Sequence, residues 1–203
     1  MTFRYLHAAI ATVGSAIALC LIASPSNANP NNANQCDNLI GAINQGVEVM
    51  EGFEAESKSF EAAAIRAKTP DTLAPIMNEF ASALDRFNGS LVGTSTRLEA
   101  LNLSDASLAE LQQQYSSEMQ TLSGLFGQLA QSLRDMGTVL SAIADTPPDQ
   151  ITPTQAQQWQ ADARKAEANI ATVEQDSKTT TTTIDKIADD INAYCDREPP
   201  KGS

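Results

Sequence analysis

Cysteine, histidine and carboxylate are the residue types in this chain that could carry covalent, acid–base or metal chemistry. The thiols are Cys20, Cys36 and Cys195, and His7 is the sole imidazole. A catalytic thiol needs a nearby base, and zinc needs imidazole or thiolate ligands. His7 and Cys20 both fall in an N-terminal stretch with the layout of a secretory signal. Arg4 supplies its positive charge, and an apolar run extends from Ala8 to Ala23. Ser26, Asn27 and Ala28 offer small residues for cleavage, just after the helix-ending Pro25. The run is shorter than the ~20 residues a membrane-spanning helix needs, which favours cleavage over anchoring. Bulky Leu19 stands where lipid attachment to Cys20 would require a small residue. The mature chain is therefore expected to begin near Asn29, with a periplasmic or extracellular location.

Loss of His7 would leave the mature chain without imidazole. That excludes Ser-His and Cys-His nucleophile pairs, His-ligated zinc, His-ligated haem and Glu-x-x-His di-iron sites. Two cysteines remain, and an even count in an exported chain predicts a disulfide between Cys36 and Cys195. Carboxylates cluster at Glu51, Glu54, Glu56 and Glu61, and again at Asp185, Asp189, Asp190 and Asp196. Calcium requires six or more oxygens converging on one point, and helical spacing without a Gly-bearing loop does not supply them. Both clusters read as solvated helix faces. Paired carboxylates for glycoside hydrolysis lack anything that would set them across a cleft. No catalytic, cofactor-binding or metal site is expected.

The whole chain carries 13 basic and 25 acidic residues. A surface this acidic disfavours nucleic acid and anionic lipid, which need neutralising Lys and Arg. About 175 residues after the leader suit one domain.

The elements that must position these residues read as helices. Residues 29–35 (NPNNANQ) look like a flexible lead-in, and 197–203 like a flexible tail. Between them, apolar residues recur at steps of three and four over about 36–68, 70–102, 107–145 and 153–196. The first seam runs Leu39, Ile43, Val47, Met50, Phe53, Ser57, Phe60; the third includes Tyr115, Met119, Leu122 and Phe126. Thr69-Pro70 and Thr152-Pro153 supply cap and first-turn proline. Ser107 with Glu110, and Thr152 with Gln155, read as capping boxes. The phase also runs on from Leu101 through Asp105 to Leu108, so the second and third helices could fuse. The turn-forming Asn102-Leu103-Ser104-Asp105 argues against fusion.

The cysteines decide the helix count. A helix of about 33 residues spans roughly 50 Å, whereas a disulfide needs Cα atoms within about 7 Å. Only an even number of comparable helices brings Cys36 and Cys195 together. The expected fold is all-α: an up-down-up-down antiparallel four-helix bundle with coiled-coil-like seams, closed by one disulfide between its two ends.

Counting from the cysteine end puts Ser57, Phe126, Ser177 and Thr180 near one mid-bundle level, with Gly124 and Gly127 beside Phe126. Small polar side chains and glycines there would leave a ligand layer. A tightly packed layer with hydroxyls bonded back to helix carbonyls is the competing reading. Thr179–Thr183 reads as continuous helix with Thr180 inward and the rest solvated. Trp159, the sole tryptophan, reads as a plug for the end of the core opposite the disulfide, or else as a partner-facing anchor.

The functional expectation is an exported, non-enzymatic helical-bundle protein, acting as an interaction or structural module of the cell envelope. Its partner would be another envelope protein or a second copy. The alternative is a periplasmic carrier holding a small apolar ligand in the mid-bundle layer.

Overall fold

The computed structural model describes residues 30–196. The leader and the tail expected from the sequence lie outside the described residues. The described chain holds four α-helices: α1 (Pro30–Arg66), α2 (Pro70–Glu99), α3 (Ala106–Asp145) and α4 (Pro153–Cys195). A short 3-10 turn, Pro148–Gln150, precedes α4. Among the described residues there is no strand.

Most boundaries follow local chemistry. Thr152 opens α4 with a reciprocal capping box: its amide donates to Gln155 Oε1 at 3.0 Å, and the Gln155 amide donates to Thr152 Oγ1 at 3.2 Å. At α2, the Thr69 amide donates to the Thr72 hydroxyl at 3.3 Å, and Pro70 takes the first turn. Pro75 sits early in α2, before a full set of intrahelical partners is required.

The structure departs from the sequence reading at three places. The helix α1 starts at Pro30, so 30–35 is helical and not a loose lead-in. Gln35 is tied down, its Oε1 accepting from the backbone amides of Ser104 at 2.6 Å and Asp105 at 3.1 Å. The cap of α3 is Asp105, whose carboxylate accepts from the amides of Ser107 and Leu108, both at 3.0 Å. Ser107 is therefore inside the helix and not its cap. The helix α2 ends at Glu99, and the Gln112 side-chain amide reaches back to the exposed-end carbonyls of Leu98 and Leu101. That settles the fusion question physically, because the freed carbonyls of α2 and the first amides of α3 each find their own partners.

Cys36 and Cys195 form a disulfide with Cα atoms 5.8 Å apart. Beside it the Tyr194 hydroxyl donates to the Asp105 carboxylate at 2.7 Å. Covalent bond, cap and side-chain bonds thus lock α1, the α2–α3 connection and the end of α4 at one end.

Contacts between helices run in opposing order along the chain. Phe53 meets Phe87 and Phe60 meets Phe80; Ser95 meets Ser116 and Ser123 meets Asn88. The tightest approach is α2 with α3, followed by α3 with α4; α1 touches α2 less, and α4 hardly at all by backbone approach. Side-chain size explains the ranking. Small residues line the α2–α3 contact, where a Cβ on Gly137 would stand 2.7 Å from Asn78 Oδ1. Between α1 and α2 the rings of Phe53, Phe60, Phe80 and Phe87 hold the axes apart over part of the contact, and the helices close up at Gly46, where a Cβ would stand 3.0 Å from Thr94 Cγ2. The core is continuous from Cys36 and Ile43 through Met50, Phe80 and Leu84 to Leu133 and Ile170.

Candidate functional site

The mid-level residues are all inside. Ser57, Phe126, Ser177 and Thr180 are 1%, 3%, 7% and 7% exposed. Their helices deliver them by heptad spacing: Ser57 stands three heptads beyond Cys36, with buried Ile43 and Met50 between. Phe126 is packed edge-on against Phe87 at 5.0 Å and Phe53 at 6.1 Å, and those two rings stack at 4.1 Å. The neighbouring glycines face elsewhere. Gly124 is exposed with open space at its Cβ position, and Gly127 faces Asn88 on α2. Ser57 Oγ and Ser177 Oγ are buried and make no hydrogen bond. The threonine run is continuous helix. Thr179, Thr182 and Thr183 bond back to carbonyls four residues earlier, and Thr181 is buried alongside Thr180, which the sequence reading did not anticipate.

Open grooves occur on the surface. One of about 440 Å³ is lined by Glu99, Gln112, Gln113, Ser116 and Gln120. Its polar groups satisfy one another: Glu99 Oε1 accepts from Ser116 Oγ at 2.9 Å and Gln120 Nε2 at 2.6 Å. A second, of about 570 Å³, runs between α3 and α4 past Gln114, Glu118, Lys186 and Asp190. A third, of about 250 Å³, lies between Gln128, Asp135 and Thr172. None of these three is lined by the mid-level residues.

A tyrosine and an aspartate inside the helices have perturbed acidity. Tyr115 is fully buried, and burial followed by the Asp185 charge pushes its phenol above the ordinary 10.0. Asp185 is half-buried, and burial followed by the Asp189 charge raises its carboxyl above 3.8. The sequence reading took Asp185 for part of a solvated face; its helical neighbours Thr181 and Ala188 turn it partly inward. In the other acidic cluster Glu51 is exposed while Glu54, Glu56 and Glu61 are half-buried; Glu54 pairs with Lys58 at 2.6 Å and Glu56 with Arg86 at 2.8 Å.

Trp159 is half-buried and stands outside the core. It does not plug the end of the bundle as the seam pattern suggested. From Pro153 to Lys165 only Trp159 and Ala163 are even half-buried, so the first turns of α4 have little of the chain to pack on.

Among the described residues, no helix is long and apolar enough to cross a membrane. Comparison with protein-family models, with curated proteins and with solved structures finds no match.

Proposed function

We propose that the four helices form an up-down-up-down antiparallel bundle closed by Cys36–Cys195, and that the protein is an exported, non-enzymatic interaction module of the cell envelope. The opposing order of contacts between successive helices supports the topology. The observation that carries the functional reading is the start of α4. A tryptophan, the residue type most enriched at binding hot spots, stands off the core on a helix stretch that is otherwise exposed. The occupant is another envelope protein or a second copy of this chain. Crosslinking and native mass analysis of protein taken from its own compartment test this. A discrete complex that dissociates on Trp159→Ala is expected; a monomer with no crosslinked partner contradicts it.

The carrier reading has one specific observation in its favour, the unbonded hydroxyls of Ser57 and Ser177. A ligand bearing a polar group would satisfy them. Thr180→Leu then abolishes ligand retention; under the packing reading it changes stability alone.

A further inference from the structure

Tyr115 Oη is buried and makes no hydrogen bond, and Asp185 Oδ1 is in the same condition. Buried polar atoms without partners are rare, and each carries the full cost of leaving water. The two belong to one level of the bundle. Asp105, the cap of α3, accepts from Tyr194 of α4 at 2.7 Å. Ten residues further along α3 is Tyr115, and nine residues back along α4 is Asp185. At equal rise per residue these steps keep the two abreast. Tyr115 sits on the central stripe of α3 with buried Leu108, Met119 and Leu122. Asp185 lies one turn from Thr181 and Ala188, and Ala188 is seven residues before Cys195, so this side of α4 turns toward α1. Tyr115 thus stands on the inward stripe of α3 at the level of Asp185, and no hydrogen bond joins Tyr115 Oη to Asp185 Oδ1. That the Asp185 charge is felt at Tyr115 is consistent with this proximity.

We propose that Tyr115 and Asp185 form an internal binding site for a single ordered water, which accepts from the Tyr115 hydroxyl and donates to Asp185 Oδ1. The complementarity selects the guest. The phenol is a donor lacking an acceptor, and the carboxylate oxygen is an acceptor lacking a donor. A molecule placed between them must therefore accept on one side and donate on the other, as water does. An ammonium only donates, and would leave the phenol proton unbonded. A bridging water also fits the usual role of buried water, which joins polar groups that packing has left apart.

A crystal structure of the full chain, at a resolution that shows ordered solvent, tests the site. The expected result is one water about 2.8 Å from both Tyr115 Oη and Asp185 Oδ1. A direct Tyr115–Asp185 hydrogen bond, or both atoms bonded to other protein groups, would overturn the proposal. Water relaxation dispersion in solution is the second measurement. Tyr115→Phe should remove one long-lived water from the count and leave the rest unchanged. An unchanged count in a folded variant also overturns it, and should that variant fail to fold, the crystal structure of the unmodified chain still decides.

Discussion

Removing the Cys36–Cys195 bond should loosen the protein from one particular helix. The bonded residues are 159 apart in sequence. For a loop of that length the chain-entropy model gives about 5 kcal/mol of stabilisation. For a chain of this size each kcal/mol moves Tm by about 2–4 °C, so the fall should be about 10–20 °C. The packing says where the loss appears first. The helix α1 approaches α4 closely at few places, whereas α2, α3 and α4 pack tightly in sequence. Without the bond, α1 is held by its buried apolar face and aromatic contacts to α2, by the Glu56–Arg86 and Gln45–Arg97 pairs, and by the Gln35 side chain. Both sulfurs belong to buried residues, which slows a reductant, so the double variant Cys36→Ser/Cys195→Ser is the cleaner perturbation. Far-UV circular dichroism should show retained helix, while hydrogen exchange read by mass spectrometry should show α1 amides exchanging before those of α3. An unchanged Tm would refute the entropic reasoning. Loosening spread evenly over all four helices would refute the packing order.

Phe126→Ala should cost about 3–5 kcal/mol in denaturant unfolding, because Phe126 fills the space beside Phe53 and Phe87; a cost below about 1 kcal/mol would mean the layer was already loosely filled. Ser57→Ala should be neutral or stabilising by up to about 1 kcal/mol, since it removes an unbonded buried hydroxyl; a marked loss of stability would mean that hydroxyl has a partner. Gly89→Ala should stabilise by about 0.5–1 kcal/mol, because a Cβ there meets open space in a helix interior. The Asp185 carboxyl titrates above its ordinary 3.8 in the folded state, so folding binds a proton and stability falls as pH rises from 3.8 through the raised value. Asp185→Asn should therefore raise Tm at neutral pH and lose that advantage as the pH drops toward 3.8; a pH-independent difference would place its cause elsewhere.

The helical seams were legible because a buried stripe must repeat at steps of three and four, and Leu39, Met50, Phe80, Leu84 and Phe126 all lie in the core as that spacing requires. The disulfide was legible from the even number of cysteines left beyond the expected leader. The ends of elements were harder. The Asn-rich 30–35 segment has turn composition, but its conformation is decided by a bond from Gln35 to a connection about 70 residues away. At α3 the Ser107–Glu110 spacing offered a plausible cap, while Asp105, two residues earlier and equally suited by type, takes the role because Tyr194 also holds its carboxylate. The mid-level residues are buried, yet whether hydroxyls such as Ser57 and Ser177 find partners depends on the spacing between axes, which periodicity does not encode. The Tyr115–Asp185 juxtaposition required the register between α3 and α4. Trp159 was misplaced because seam phase says which side of a helix faces inward, but not whether a neighbouring helix extends far enough to cover it.

Native mass spectrometry of the protein purified gently from its own compartment tests the central proposal most directly. It reports leader removal, the two-hydrogen deficit of a disulfide, subunit number and retained molecules in one experiment. The expected result is a chain beginning near Asn29, oxidised, and held in a discrete complex with a second copy or a protein partner. A monomer that carries a small molecule and loses it on Thr180→Leu would contradict the interaction-module reading and support the carrier.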